Sequence, residues 1–267
     1  MLRFTKMNGA GNDFVMLDNR TGTLVLSKAK IAQLCDRQRG IGADGLITVE
    51  SAQNNADFRM RYYNADGSEA AMCGNGARCF GRFVQQLTGK TENICFETLA
   101  GIITAQFVGT SVRLNMSEPH SLVVNRSLKF GKQTLTIHTV DTGVPHAVIF
   151  VDDIERVDVY KLGAQIRHST YFGSDGTNVN FVKQLNSQSI QVRTYERGVE
   201  NETLSCGTGV VASALIFHRL ISSIMPISVK VRSGEILDVS FKQIDEIYRN
   251  VTLTGPADIV FEGQIAV

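Results

Sequence analysis

Apolar residues recur with two different periods along this chain of 267 residues. Apolar and polar residues alternate through 103–116 and through 227–241, which is typical of strands that bury one face. A helical period follows Cys73, where Phe80, Phe83, Val84 and Leu87 share one face and the pattern stops at Gly89. Residues 210–217, by contrast, are apolar or small on every side, so a helix there must be wrapped by other elements.

Residues 44–117 and 175–255 repeat the same order of patterns: two strands, a polar turn, Cys-Gly-x-Gly, a helix and a β-meander. We therefore predict two pseudosymmetric domains of an α/β (α+β type) fold, each a curled, mostly antiparallel sheet around a central helix. The predicted domains are 1–117, onto which a final strand at about 255–267 packs back, and 118–254. An active site is expected in the cleft between the domains.

The composition argues against several classes of function. The chain is 43% hydrophobic and 20% charged with a net charge of +1, which gives neither a basic nucleic-acid footprint nor an acidic tail. No signal-peptide core and no run of about 18 apolar residues is evident, so we predict a soluble cytoplasmic protein without membrane contact. The expected partner is a small molecule or another protein.

The cysteines favour reactive thiols over a disulfide framework or a metal site. The chain has five cysteines, an odd number that cannot all pair with one another, and free thiols are typical of proteins in a reducing compartment. No C-x-x-C occurs and the five histidines are scattered, so no structural metal is expected. Cys35, Cys79 and Cys95 have no distinctive setting and are interpreted as core or near-surface thiols.

Cys73 and Cys206 each precede a glycine-bearing turn that opens a helix. The first amide N–H groups of a helix have no intrahelical partner, so they bind anions such as a carboxylate. The same positive helix end favours thiolate over thiol. One such cysteine could serve as a nucleophile or a base, although a single Cys-Gly-x-Gly is also compatible with a purely structural turn.

Two equivalent cysteines suggest a different chemistry. If both face one ligand, a base stands on one side of a carbon and an acid on the other, as inversion of a stereocentre next to a carboxylate requires. Like-charge repulsion keeps two close thiols from ionising together, so the pair retains one proton. We therefore predict Cys73 and Cys206 as an acid/base pair.

Other polar residues occupy matched turns of the repeat and have both functional and structural interpretations. His146 follows Pro145 and either points into the cleft or is a satisfied structural histidine. Glu196 and Arg197 occupy the turn that Asn64 occupies in the first half, and they either bind ligand or form a surface ion pair. Asn12 and Asn178, beside glycine-bearing turns, are by default turn-capping residues.

The segments "GAGNDFV", "GIGADG", "YNADGSEAAMCGNGARC", "TGVPH", "YERG" and "SCGTG", in this order, closely resemble diaminopimelate epimerase over essentially the whole chain. The resemblance implies a cofactor-independent isomerase, without pyridoxal, that interconverts LL- and meso-diaminopimelate in lysine and peptidoglycan precursor synthesis, and a homodimer. It implies Cys73 and Cys206 as the acid/base pair, with His146 and Glu196 tuning their pKa. The substrate-binding positions that it implies are Asn12, Asn64, Gly74, Asn75, Asn178, Glu196, Arg197, Gly207 and Thr208.

Three positions depart from the pattern of this family. Gly45 stands where a glutamine can contact substrate, Val144 where an asparagine often precedes Pro-His, and Phe261 where a tyrosine is associated with dimer formation. They put substrate preference and dimer strength in question. Two kinds of alternative remain. One is a racemase of another amino acid on the same fold; the other is a protein of a different class, either a cysteine hydrolase that uses one thiol with His146 or a non-catalytic carboxylate-binding module.

Overall fold

A computed structural model describes residues 1–131, 133–221 and 224–266 of the chain. The strands are β1 (Leu2–Gly9), β2 (Asn12–Asp18), β3 (Gly45–Ser51), β4 (Phe58–Asn64), β5 (Glu69–Ala70), β6 (Ile94–Thr98), β7 (Gly101–Val108), β8 (Ser111–Asn115), β9 (His120–Phe130), β10 (Gln133–Asp141), β11 (Pro145–Phe150), β12 (Asn178–Gln184), β13 (Ser189–Glu196), β14 (Asn201–Thr203), β15 (Ile227–Lys230), β16 (Ile236–Ile244), β17 (Ile247–Pro256) and β18 (Asp258–Ile265). The α-helices are α1 (Lys28–Cys35), α2 (Gly74–Thr88), α3 (Val159–Arg167) and α4 (Gly207–Ile221).

The chain folds as two compact units. The first contains Met1–Asn115 together with the segment that begins at Thr254, and the second contains Met116–Leu253. The unit boundary therefore falls within β17, and β18 belongs to the first unit, where it pairs antiparallel with β1.

The same strand pairings occur in each unit. In the first unit β2 is parallel to β3, β3 is antiparallel to β4, β4 is parallel to β6, and β6 is antiparallel to β7. In the second unit β11, β12, β13, β15 and β16 follow one another with the same senses. The repeat predicted from the sequence is thus present in the hydrogen-bonding pattern of the backbone.

Each unit holds one helix against the inner face of its strands. Helix α2 packs on β1, β2, β7 and β8, and buries Phe80, Phe83 and Val84 as its apolar period predicts. It ends at Gly89, which has the left-handed φ of 70° and donates its N–H to the Gln85 carbonyl. In α4 every residue from Val210 to Phe217 is buried. The predicted fold class, curled and mostly antiparallel strands around central helices, is confirmed.

Among the described residues, no helix is both long enough and apolar enough to cross a membrane.

Candidate active site

Cys73 occupies the N-cap position of α2. Its backbone is extended, with φ −135°, and its carbonyl accepts the first intrahelical hydrogen bond from the Ala77 N–H at 2.7 Å. The residue is half-buried. Gly74 and Asn75 form the first turn, whose N–H groups have no carbonyl to bond within the helix. A thiol and a set of backbone donors therefore lie together at the start of this helix.

A chain of side-chain hydrogen bonds fixes the first turn of α2. Arg78 Nη2 donates to Asn75 Oδ1 at 2.7 Å, Asn75 Nδ2 donates to Asn12 Oδ1 at 2.6 Å, and Asn12 Nδ2 donates to an oxygen of Asp44 at 2.9 Å. A guanidinium can only donate and a carboxylate only accepts, so both amide orientations are determined from the two ends of the chain. Asn12 and Asn75 thus stand beside Cys73 in one fixed arrangement.

Arg78 is fully buried, and burial lowers its pKa. Its Nε donates to the Pro256 carbonyl at 3.2 Å, while Nη1 has no hydrogen-bond partner within the described part of the chain. A cation buried one turn along the helix from Cys73 adds to the positive potential of the helix start, which favours the anionic form of that cysteine.

Cys206 stands at the equivalent place before α4. It is 8% exposed, and its carbonyl accepts from the Val210 N–H at 2.9 Å. The sulfur lies 3.5 Å from the Thr208 hydroxyl, and the Thr208 carbonyl accepts from the hydroxyl of Thr142 at 3.1 Å. Gly207 and Thr208 form the first turn of α4. The second unit therefore repeats the combination of a sulfur and first-turn helix donors.

His146 lies in β11, is 1% exposed, and packs beside Asn180 of β12. Its Nδ1 is 3.1 Å from the amide nitrogen of Asn180. Burial, and secondarily the positive charge of Arg197, lower the pKa of His146 to about 3. The imidazole is therefore neutral at physiological pH.

Asn178 links the start of β11 to the turn after β13. It is 4% exposed; its Oδ1 accepts from the Arg197 N–H at 2.9 Å and its Nδ2 donates to the Pro145 carbonyl at 3.2 Å. The side chain predicted to bind substrate thus also connects the strand that carries His146 with the turn that carries Arg197. Beside Arg197, burial raises the pKa of Glu196 above its usual value.

The first unit has no space for a side chain at position 45. A Cβ on Gly45 would lie 2.5 Å from the Tyr63 carbonyl oxygen and 2.6 Å from the ring of Tyr62. The position where the family pattern has a glutamine is thus filled by a neighbouring tyrosine. Asn64 ends β4 in an exposed turn, where its amide bonds the Ser68 hydroxyl at 3.2 Å.

The remaining cysteines have the surroundings of core thiols. Cys35 and Cys79 are 3% and 0% exposed, and burial raises their pKa to about 11 and about 12. Cys95 is half-buried in β6.

Within each unit the structure brings the predicted residues together. The first unit brings together four of them at the start of α2: Asn12, Cys73, Gly74 and Asn75. The second unit carries five of them on adjoining elements: His146, Asn178, Arg197, Cys206 and Thr208.

Sequence reasoning missed Arg78 and Asn180. Asn180 lies two residues after Asn178 in β12, and residues two apart in a strand have their side chains on the same face of the sheet. Arg78 follows Cys73 by five residues and stands between Ala77 and Cys79, which are both small and buried, and an arginine in such a place signals a specific partner.

A model of the diaminopimelate epimerase family matches residues 4–122 and 138–260. The chain is 45% identical to the diaminopimelate epimerase of Chlorobaculum tepidum, covering 97% of this chain and 99% of that protein. It is 39% identical to the diaminopimelate epimerase of Aquifex aeolicus, covering 99% of this chain and 98% of that protein.

Solved structures with the same fold are more distant in sequence. A phenazine biosynthesis protein of the PhzF family from Bacillus anthracis superposes with a TM-score of 0.75 at 14% identity, covering 100% of this chain and 99% of that one. A probable proline racemase from Agrobacterium radiobacter gives 0.71 at 13% identity, covering 100% and 93%. These likenesses concern the fold. From the family match and the relatives at 39–45% identity over nearly their full length, this chain belongs to the diaminopimelate epimerase family of isomerases.

Proposed function

We propose that the protein epimerises LL-diaminopimelate to meso-diaminopimelate, with Cys73 and Cys206 as the acid/base pair and without a cofactor. The observation that carries this proposal is the duplicated placement of a cysteine at a helix start, before α2 in one unit and before α4 in the other. A structural duplication alone would preserve the glycines of these turns. It would not require a sulfur at both places.

The proton transfers balance with one thiolate and one thiol. The thiolate takes the α-proton from one face of the reacting carbon, so a C–H bond breaks and an S–H bond forms. The second thiol delivers its proton to the opposite face, which leaves it as the thiolate. The charge of the pair is unchanged after one turnover, and the reverse reaction uses the same two groups in exchanged roles.

The carbanion needs stabilisation at the adjacent carboxylate. The first-turn N–H groups of Gly74, Asn75, Gly207 and Thr208 are positioned by the two helix starts, and preorganised donors of this kind are worth about 3 to 4 kcal/mol each in other enzymes. Exclusion of water strengthens them further. We infer that these donors take the place of the electron sink that a pyridoxal cofactor would supply.

The far end of diaminopimelate carries a second amino-carboxylate. Asn64, Asn178 and Arg197 have the polar groups to bind it, and Glu196 adds an acceptor. We place the reaction in lysine and peptidoglycan precursor synthesis in the cytoplasm, where a reducing environment keeps both thiols available.

The proposal is tested by following α-proton exchange on a panel of amino acids in deuterium oxide, together with formation of the meso isomer from LL-diaminopimelate. We expect diaminopimelate to gain solvent deuterium at the α-carbon as it epimerises, in enzyme that has no absorption band at wavelengths longer than those of the protein itself. An absence of exchange on diaminopimelate, or a pyridoxal-type band that activity requires, would contradict it.

We also propose that the enzyme works as a homodimer through β18. Ile259, Val260 and Phe261 on this strand are 45%, 56% and 47% exposed, so β18 leaves large apolar side chains in solvent that a second copy would cover. The ring of Phe261 packs edge-on against Phe4, with 5.9 Å between the ring centroids. This contact positions the ring, although phenylalanine lacks the hydroxyl of the tyrosine found here in the family pattern. Sedimentation equilibrium of the native enzyme and of Phe261→Asp should give a dimer and a weakened dimer; a native monomer at micromolar concentration contradicts this.

A further inference from the structure

The side chain of Asn180 is fully buried and makes three hydrogen bonds with described residues. Its Nδ2 donates to the Ala147 carbonyl at 3.1 Å and lies 3.1 Å from His146 Nδ1, while its Oδ1 accepts from the Thr194 hydroxyl at 2.9 Å. A carbonyl oxygen can only accept, so the amide nitrogen must face Ala147. The orientation of this amide is therefore determined by the backbone of β11.

The orientation of Asn180 decides the proton position on His146. Because the Asn180 nitrogen is a donor, His146 Nδ1 must be the acceptor, and the ring proton is on Nε2. A second proton on Nδ1 would face the amide N–H of Asn180. The contact thus opposes the imidazolium form in the same direction as burial of the ring.

The start of α4 leaves room for this arrangement. A Cβ on Gly209 would lie 2.3 Å from Asn180 Oδ1, so glycine at this position allows the helix to approach the amide. The φ of Gly209 is not in the left-handed region. Glycine is therefore needed at this position because no room exists for a side chain, and not because the backbone takes an unusual conformation. The helix that begins after Cys206 and the asparagine that orients His146 are therefore packed directly together.

The Nε2–H of His146 is buried and has no hydrogen-bond partner among residues 1–131, 133–221 and 224–266. A buried donor without a partner costs about 1 to 3 kcal/mol. An acceptor that arrives during function would satisfy this donor, and both a thiolate and a substrate carboxylate are strong acceptors.

We propose that Asn180 is a positioning residue that holds His146 as the neutral Nε2–H tautomer, so that His146 donates a hydrogen bond to an anion in the active site. His146 in this state cannot remove a proton from a thiol, because its only basic nitrogen is occupied by Asn180. The identity of the anion rests on the proposed function, but the tautomer does not. The same geometry disfavours a hydrolase in which His146 is the general base.

The test is nitrogen NMR of ¹⁵N-histidine-labelled enzyme, native and Asn180→Asp, without substrate. In the native protein, the couplings of the ring nitrogens should identify His146 as the Nε2–H form. The carboxylate that Asn180→Asp introduces accepts instead of donating, so the proton should move to Nδ1 and the pKa of His146 should rise. His138, whose Nδ1 accepts from the Asn125 N–H at 3.1 Å, provides an internal reference that should not change.

Activity gives the second readout. The reversed tautomer removes the Nε2–H donor, and a hydrogen bond to a charged group contributes enough that Asn180→Asp should lower kcat about 10- to 100-fold with a smaller change in KM. The matched control is Thr194→Val, which removes another bond to the same amide but keeps its anchor on Ala147. It should retain the native tautomer and lose less activity than Asn180→Asp at similar thermal stability.

Three results would overturn the proposal: a native His146 with its proton on Nδ1, an unchanged tautomer in Asn180→Asp, or equal losses of kcat in Asn180→Asp and Thr194→Val. If Asn180→Asp does not fold, the native spectrum alone decides. A failure of the proposed epimerase activity is separate, because it appears as absent α-proton exchange in the native enzyme whatever the tautomer.

Discussion

At the scale of single residues, Gly45 and Val144 bear on substrate selectivity in different ways. The Tyr62 ring and the Tyr63 carbonyl fill the space beside Gly45, whereas Val144 is a half-buried residue in the loop before His146. An asparagine at position 144 would present a polar group that penalises analogues unable to pair with it, and Val144 lacks that group. At Gly45, in contrast, no space is left for a longer side chain, because Tyr62 and Tyr63 already occupy it.

We predict that Val144→Asn raises the preference for diaminopimelate over glutamate, the first shorter substrate to try because its side-chain carboxylate could reach Arg197. Gly45→Gln is the matched variant. It should lower the free energy of unfolding by about 1 to 3 kcal/mol, because a backbone carbonyl lies within 3 Å of the new Cβ. Relative rates of α-proton exchange and urea denaturation measure the two effects. An unchanged ratio of rates in Val144→Asn, or a Gly45→Gln variant as stable as the native enzyme, counts against this explanation.

His146 should make the stability of the protein depend on pH. Its pKa is about 3 in the folded state, against 6.5 for an unperturbed histidine. The unfolded chain therefore binds a proton that the folded protein does not as the pH falls below about 6.5, and stability present above that pH is lost down to about pH 3. Between pH 7.5 and 5 the loss should be about 2 kcal/mol.

Urea denaturation of the native protein and of His146→Gln at a series of pH values measures this contribution. The variant should lack it, while the carboxylates, which titrate mainly at lower pH, contribute equally to both proteins. Parallel stability curves for the two proteins would mean that His146 is not held neutral by the fold.

At the scale of elements, the helix starts and ends depend on glycines for two separable reasons. Gly209 allows close packing on Asn180, whereas Gly89 ends α2 with a left-handed backbone and has open space around it. Gly209→Ala should displace Asn180 and lower both stability and kcat. Gly89→Ala should cost about 1 kcal/mol of stability through backbone strain and leave kcat at the native level. Thermal unfolding with steady-state kinetics separates the two, and equal kcat in both variants would be the contrary result.

The elements also show what the sequence could and could not predict. The apolar period of α2, its end at Gly89, the all-round burial of α4 and the alternation in β7, β8, β15 and β16 were readable because each depends on local spacing. The buried Arg78 and the Asn180 amide were not identified. Their roles come from partners distant in sequence, Pro256 for Arg78 and Ala147 with Thr194 for Asn180, and no local period encodes such contacts.

At the scale of the whole molecule, the repeat places equivalent chemistry in two units with the same strand pairings. Each unit supplies one thiol and one set of helix donors, and each surrounds them with a different polar network. In the first unit, a chain of hydrogen bonds runs from a cation to an anion, through Arg78, Asn75, Asn12 and Asp44. In the second unit, the chain of hydrogen bonds has no charged member and consists of Thr194, Asn180 and His146. Under the proposed mechanism, this asymmetry would give the two sulfurs different tendencies to hold the proton that they share.

Transfer by two separate sulfurs is tested most directly by the origin of the α-hydrogen during the first turnovers in deuterium oxide. Starting from unlabelled LL-diaminopimelate, we predict that the meso product carries deuterium at the inverted carbon while the unreacted substrate keeps its protium. Cys73→Ala and Cys206→Ala should each lose this conversion, whereas Cys95→Ala, a half-buried thiol outside the site, should keep it. Product that retains the substrate's own α-hydrogen, or near-native conversion by either Cys73→Ala or Cys206→Ala, would contradict the two-thiol mechanism.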